Sequence, residues 1–224
     1  MSPVSDIKFQ LMTKKETNQR NKEQSKQKLI DAVGQIILRD GFKGIGINAI
    51  AKEAKLDKVL IYRYFDGIDG LLKEFAKQKD FYINISNFIQ DEIENAKTNE
   101  VKDLIIKVLI NQLRELYKNK ELQEFMLWEM IERNELTIAI AKEREEKGYE
   151  LSKKLKEKMD LKNSDSDAII ALLVSGIYYL VLRSRTVDVF NGIELNSAKG
   201  WQQIENAIQL IINTSFDSIK NQEI

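Results

Sequence analysis

The fold of this chain is decided between Lys28 and Leu72, where the sequence reads KLIDAVGQIILRDGFKGIGINAIAKEAKLDKVLIYRYFDGIDGLL. Six of the ten glycines fall in this stretch, which indicates short helices joined by tight turns. The pattern predicts a first helix that ends at Asp40-Gly41, and two short helices over about 47–55 and 58–65. Asp57 is the expected N-cap of the third helix, because its carboxylate can accept from the first free N–H groups.

Two short helices joined by a tight turn form a candidate helix-turn-helix, whose second helix enters the major groove of DNA. The residues expected to hold the two helices together are small or apolar: Ile50, Ala51, Ala54, Leu56 and Ile61. The residues expected to project outward are Lys58, Val59, Leu60, Tyr62 and Arg63. The alternative is a packed helical corner whose charged side chains are merely solvated. Spacing alone leaves both interpretations open.

Apolar residues recur at helical spacing over almost the whole chain of 224 residues, and the one proline is Pro3. We therefore predict an all-α protein. Residues 1–24 are polar and mildly basic, and are expected to form a flexible arm. The first 80 residues carry 16 basic and 11 acidic side chains, although the whole chain has no net charge. This asymmetry fits an anionic partner held at the N-terminal end.

Two apolar helices are predicted in the C-terminal half, around 168–182 and 201–219. The first is apolar nearly all round, so in a small domain it needs cover from beyond its own chain. We expect the two helices to form a homodimer interface. The uncharged run of the first is shorter than the roughly 20 residues that span a bilayer, so we expect no membrane partner and a soluble, cytoplasmic protein.

Cysteine and histidine are both absent from the sequence. Disulfides and thiolate metal sites are therefore excluded, together with the commonest metal ligand and general base. A di-metal carboxylate bundle, the enzyme class closest to this helical pattern, needs Glu-x-x-His pairs. We therefore expect no enzyme, no catalytic residue, no metal and no cofactor.

The quoted stretch resembles the N-terminal domain of the TetR family of transcriptional regulators. The resemblance rests on residues in the family's order and spacing: Asp40-Gly41-Phe42, Ile50-Ala51 with Ala54, Leu56-Asp57, Ile61-Tyr62-Arg63-Tyr64-Phe65 and Leu71-Leu72. It implies a helix-turn-helix DNA-binding domain over 25–70, and a helical ligand-binding and dimerisation bundle over 71–224. It also implies a homodimer that binds a palindrome in double-stranded DNA, in most cases as a repressor, and that a small-molecule effector releases.

The resemblance assigns the DNA-contacting positions. Asn48 matches a position that often touches a base, and positions 58–60 open the recognition helix. Tyr62 and Tyr64 match positions that grip phosphates, while a guanidinium beside them can pair with phosphate or read guanine. The predicted DNA-binding residues are Asn48, Lys58, Val59, Leu60, Tyr62, Arg63 and Tyr64.

The sequence also departs from the family pattern. Gly46 replaces a capping Ser or Thr, Lys55 replaces the turn glycine, and Leu60 and Ile68 replace polar or basic residues. These changes remove phosphate donors, so the alternative is a helical interaction or ligand-binding module that has lost specific DNA binding. The basic arm, with Lys14, Lys15, Arg20 and Lys22, is a candidate to compensate by following a groove.

The C-terminal bundle is expected to enclose a ligand cavity, on the strength of the resemblance. The candidate lining residues are large, adaptable or partly polar: Tyr117, Phe125, Met126, Trp128 and Tyr178. The competing interpretation is that each of these side chains is ordinary core. Glu129 and Arg133 are candidate polar anchors, with a surface location expected for both.

Overall fold

The computed structural model describes residues 3–79, 92–159 and 165–222, with side chains over 19–79, 92–159 and 165–219. Its described residues are almost entirely helical, which confirms the predicted all-α class. The chain divides into two compact units, Met1–Ala76 and Lys77–Ile224. The sequence analysis placed this boundary after residue 70, so the structure assigns six further residues to the first unit.

The first unit contains four helices among its described residues. Helix α1 spans Pro3–Asp40, α2 spans Ile47–Ala54, α3 spans Val59–Phe65 and α4 begins at Ile68 and ends at Lys79 in the second unit. A 3₁₀ turn, Phe42–Gly44, follows α1. The predicted end of α1 is confirmed, since Gly41 has a φ of 69° and its N–H donates to the Ile37 carbonyl.

The predicted flexible arm is helical in the structure from Pro3 onward, which corrects the expectation for residues 1–24. The physical reason is composition: no glycine or further proline occurs before Gly34, and Lys, Gln and Glu are good helix formers. One side-chain pair at helical spacing supports α1, because Gln27 Nε2 donates to Asp31 Oδ1 at 2.9 Å. The side chains of Lys14 and Lys15 lie outside the described residues.

The core of the first unit forms on one face of α1. The predicted stripe of this helix is confirmed: Leu29, Val33, Ile36 and Ile37 are fully buried. The other helices of the unit add equally buried residues: Ile50 from α2, Ile61 from α3, and Leu71 and Phe75 from α4. Burial of such side chains stabilises a fold by about 1.5–3 kcal/mol each, so this small core suffices to fix three short helices.

The second unit is a bundle around one central helix. Its elements are a helical segment at 92–95, a 3₁₀ turn Thr98–Glu100, α5 Val101–Lys118, α6 Lys120–Ile131, α7 Glu135–Met159, α8 Asp165–Arg183, β1 Val189–Phe190, β2 Ile193–Glu194 and α9 Ala198–Gln222. Helix α5 contacts α6, α7, α8 and α9, and ten of its residues are buried. The predicted amphipathic stripe of this segment therefore faces the bundle core.

Ion pairs cross between the helices of the second unit. Arg144 on α7 donates two hydrogen bonds to Glu129 on α6, at 2.7 and 2.8 Å, and both side chains are largely buried. Glu129 was expected at the surface, and this pairing with Arg144 corrects that expectation. Arg114 on α5 makes a similar fork to Glu205 on α9, whose hydrogen bond raises the pKa of Arg114.

The short hairpin between α8 and α9 was not predicted. Strands β1 and β2 pair antiparallel, with Val189 opposite Glu194. Asn191 and Gly192 both have positive φ, 47° and 80°, as a two-residue type I′ turn requires. The signal was present in the sequence, because Asn-Gly between apolar residues is a strong hairpin pattern.

Helix α8 is longer than its uncharged run, and little of it is buried. Its 19 residues include an 18-residue window of mean hydropathy 1.6, of which 17% is buried. By length and composition alone this helix could cross a membrane, but the core helix of a protein outside the membrane passes the same test. Only Ser166, Ile177 and Val181 are buried along it within the described chain.

Candidate nucleic-acid interface

The turn between α2 and α3 fixes the direction of both helices. Lys55 adopts the left-handed conformation, with φ 55° and ψ 43°, at the position where the sequence analysis noted a missing glycine. The N–H of Leu56 then donates to the Ala51 carbonyl at 3.0 Å, which closes the end of α2. The backbone thus makes the required turn even though Lys55 carries a Cβ.

The start of α3 is fixed by a side chain and by a core anchor. Oδ1 of Asp57 accepts from the N–H of Val59 at 2.8 Å, which confirms the predicted cap. Ile61 is fully buried one turn later. Because Ile61 faces the core, the side chains on the opposite face of this short helix must face solvent.

The exposed face of α3 consists of predicted DNA-contacting residues. Lys58, Val59, Tyr62 and Arg63 are exposed and lie at one-turn spacing, and Tyr62 exposes 56% of its area. Leu60 is half-buried, so it is less available than the sequence analysis expected. Asn48 is exposed in the first turn of α2.

Tyr64, the last predicted DNA-contacting residue, is half-buried beside α1. The ammonium of Lys22 lies 5.8 Å from the centre of its ring, within cation–π range. Lys22 belongs to the stretch predicted as an arm. The structure therefore brings one basic residue of that stretch to the C-terminal end of α3, because α1 is a continuous helix.

The other departures from the family pattern have distinct structural consequences. Gly46 caps α2 in an extended conformation, and no side chain caps this end. Ile68 is half-buried at the start of α4, where a lysine was the family expectation. Gly70 lies so close to α3 that a Cβ there would be 1.8 Å from the Phe65 carbonyl oxygen, so the α3–α4 corner requires glycine.

An ion-pair network joins the end of α1 to α2. Arg39 donates to Asp40 at 3.1 Å and to Glu53 at 2.8 Å. The Asp40 carboxylate, and after it Glu53, raises the pKa of Arg39. All three groups are partly exposed, so the network orients α2 more than it stabilises the fold.

The predicted ligand-pocket residues do not all line one cavity. Phe125 and Met126 are buried in the core, and Trp128 packs edge-on against Phe125, with ring centres 5.4 Å apart. Tyr117 packs against Trp201 at 4.8 Å. These four residues suit the competing interpretation of ordinary core, whereas Tyr178 lines an open groove.

That groove lies between α6 and α8 and has a volume of about 560 Å³. We define the α6–α8 groove by six of its lining residues: Leu127, Met130, Tyr178, Leu182, Arg183 and Arg185. Its walls are mostly apolar, and two arginines are among its lining residues. Volumes of about 300–1,000 Å³ are typical of small-molecule sites.

Comparison with known protein families confirms the resemblance found in the sequence. Residues 29–75 match the model of the bacterial regulatory proteins, tetR family. A probable HTH-type transcriptional regulator of Bacillus subtilis (strain 168), YttP, is 24% identical over 106 residues, 47% of this chain. This match spans 50% of that relative's length. Residues 29–75 of the N-terminal unit are thus similar to the regulators of the tetR family.

Comparison with solved structures extends the likeness to the whole fold. The fatty acid degradation regulator FadR from Bacillus halodurans superposes with a TM-score of 0.65 at 16% identity, covering 84% of this chain and 94% of that chain. A transcriptional regulator FadR from Bacillus subtilis, solved in complex with stearoyl-CoA, gives 0.62 at 16% identity, with 83% and 96% covered. At this identity the likeness concerns the fold.

Proposed function

We propose that this chain, with its TetR-type N-terminal unit, is a transcriptional regulator that binds a palindromic DNA operator as a homodimer. A small-molecule effector bound by the second unit releases it from DNA, and its usual effect is repression. It acts in the cytoplasm, where bacterial DNA is found. The observation that supports DNA binding most directly is the exposed face of α3, which presents Lys58, Tyr62 and Arg63 opposite the buried Ile61.

The chemistry of this face suits a DNA duplex. The Tyr62 hydroxyl can donate a hydrogen bond to a phosphate oxygen. The Lys58 ammonium is a point charge on a flexible stem, so it can pair with a phosphate from many directions. Arg63 can bind a phosphate or the major-groove edge of guanine. Val59 can contact a thymine methyl group. The face thus combines backbone contacts that position the helix with contacts that distinguish bases.

A homodimer provides the cover that α8 and α9 lack. The exposed residues of α8 repeat at helical spacing and are small or apolar: Ala168, Ala171, Leu172, Ser175 and Tyr179. Helix α9 carries a similar set of exposed residues: Ala207, Leu210, Ile211 and Thr214. Leu172 is 74% and Leu210 68% exposed in the single chain, which favours burial against a second copy. Two recognition helices can then reach half-sites about 34–36 Å apart.

Helix α4 is the proposed route from effector to DNA, because it runs from the first unit into the second. At its C-terminal end, Lys77 pairs with Glu143 on α7 at 3.2 Å and Lys79 with Glu121 on α6 at 2.7 Å. An effector that moves α6 or α7 therefore pulls on this end of α4. By linkage, DNA and effector must weaken each other's binding by the same factor.

The second candidate function is an interaction or ligand-binding module that has lost specific DNA binding. The uncapped Gly46 and the half-buried Leu60 and Ile68 favour it, because each replaces a polar or basic residue expected to contact the DNA. Binding to nonspecific duplex at low salt separates the two candidates, since a DNA-binding protein retains affinity there.

The test of DNA binding is selection of bound duplexes from a random pool by the purified full-length protein. We expect enrichment of a palindrome with half-sites about one helical turn apart. No enrichment at low salt would contradict the proposal and favour the module.

Arg63→Ala then tests the proposed interface on the selected operator. We expect at least about tenfold weaker binding, with either a smaller salt slope if Arg63 binds phosphate or relaxed specificity if it reads guanine. Arg133→Ala is the matched control, since Arg133 is exposed between α6 and α7 in the second unit. Equal affinity of the two variants would contradict the assigned role of α3.

A further inference from the structure

We propose that the α6–α8 groove binds a soluble anionic amphiphile, a single apolar chain that ends in a phosphate or carboxylate. This inference rests on the proposed sensing function and names the chemical class of the effector and its site. Three features of the groove support this ligand class: the apolar wall, the two arginines and the position beside the exposed face of α8.

The wall of the groove fits an apolar chain. Leu127 and Met130 form the α6 side, and Leu182 with the ring of Tyr178 forms the α8 side. Met130 exposes 60% of its area in the single chain, so its side chain is accessible to a ligand in the groove. An unbranched, adaptable thioether side chain suits a wall against which flexible chains of varied length are packed.

The charge of the groove fits an anionic head group. Arg183 and Arg185 both line it, and within the described residues the one carboxylate paired with either of them is Glu124, which accepts from Arg185. The two arginines that line the groove therefore carry one positive charge more than this acidic partner balances. A guanidinium binds carboxylate or phosphate through two parallel hydrogen bonds, so Arg183 is well suited to the head group.

The groove adjoins the face of α8 that we assign to the homodimer interface. Ser175 and Tyr179 line the groove and also belong to the exposed face of α8 that we assign to the homodimer. Tyr179 is further held edge-on by Phe190 of the hairpin, with ring centres 5.4 Å apart. A ligand packed beside this face changes the surface on which the second copy rests, and so affects the spacing of the DNA-binding units.

The test measures binding of dodecyl phosphate below its micelle concentration to the full-length protein by titration calorimetry. We expect binding of dodecyl phosphate, and much weaker binding of both dodecyltrimethylammonium, which has the same chain with opposite charge, and inorganic phosphate, which has no chain. Arg183→Gln should weaken dodecyl phosphate binding by about tenfold, the effect of losing a charge-assisted pair. Arg133→Gln, with the same change of charge outside the groove, should bind as the parent does.

Several outcomes would overturn the proposal. These are equal binding by the two arginine variants, equal binding of the cationic and anionic probes, or attachment to anionic vesicles without binding of the monomeric probe. Binding that disappears as the protein dimerises would also overturn it, because the second copy would then fill the groove.

The same protein samples separate this proposal from the broader one. If the parent binds its selected operator but not dodecyl phosphate, the regulator remains and the groove assignment fails. If it binds dodecyl phosphate but no DNA, the groove assignment remains and the DNA-binding function fails. If both hold, dodecyl phosphate should release the parent from DNA at concentrations that leave Arg183→Gln bound.

Discussion

Lys55 occupies a backbone conformation that disfavours its side chain. With a φ of 55° it lies in the left-handed region, which costs a residue with a Cβ about 1–2 kcal/mol and costs glycine almost nothing. The side chain itself is exposed and lies in the turn of the helix-turn-helix. We expect the positive charge of Lys55 to strengthen DNA binding and so to offset this unfavourable conformation.

Lys55→Gly should therefore stabilise the protein. We expect the free energy of unfolding to rise by about 0.5–1 kcal/mol, measured by urea denaturation, with DNA affinity reduced by the lost charge. The control is Lys52→Gly, one turn earlier on α2, where glycine should lower the free energy of unfolding by about 1 kcal/mol. A loss of stability from both variants would mean that Lys55 makes contacts that outweigh its backbone strain.

Helices α6 and α7 are joined by a buried ion pair. The side chains of Arg144 and Glu129 are only 6% and 11% exposed, and their two hydrogen bonds form a fork. Removing one partner of such a pair takes two charge-assisted hydrogen bonds from a buried charge, which is far more unfavourable than losing an exposed pair. The pair therefore sets the alignment of α6 on α7, the two helices that also hold the end of α4.

Glu129→Gln should destabilise the second unit by about 3–5 kcal/mol, measured as a lower midpoint of urea unfolding. Glu150→Gln is the matched control, because Glu150 pairs with Lys147 on the exposed face of α7 and its loss should change stability by less than about 1 kcal/mol. Similar losses from the two variants would mean that the buried pair is well solvated.

At the scale of the whole molecule, the proposed homodimer depends on the exposed faces of α8 and α9, because only a dimer can bind two DNA half-sites at once. Leu172, at 74%, is the most exposed large hydrophobic residue on α8. A charge at the centre of an apolar homodimer interface appears twice, once from each copy, and the two copies repel.

Leu172→Glu should give a monomer by sedimentation equilibrium and lose most of the affinity for the palindrome, while weak binding to a single half-site remains. Ile138→Glu is the control: Ile138 is 51% exposed on α7 and lies outside both proposed faces, so the dimer should persist. A dimeric Leu172→Glu protein would place the interface elsewhere.

The sequence alone determined the helical class, the turn at Asp40-Gly41, the cap at Asp57 and the limits of α2 and α3 within about one residue. These features depend on local signals, namely apolar spacing, glycine and a capping carboxylate, which act over a few neighbouring residues. For the same reason the family match falls on this stretch, at residues 29–75.

The tertiary structure decided the surroundings of side chains whose contacts come from residues distant in sequence. Glu129 became a buried ion-pair partner because α7 brings Arg144 to it, fifteen residues away. Of the predicted ligand-pocket residues, Phe125 and Met126 went to the core and Tyr178 to a groove, since helical spacing gives the face of a residue but not the neighbour it meets.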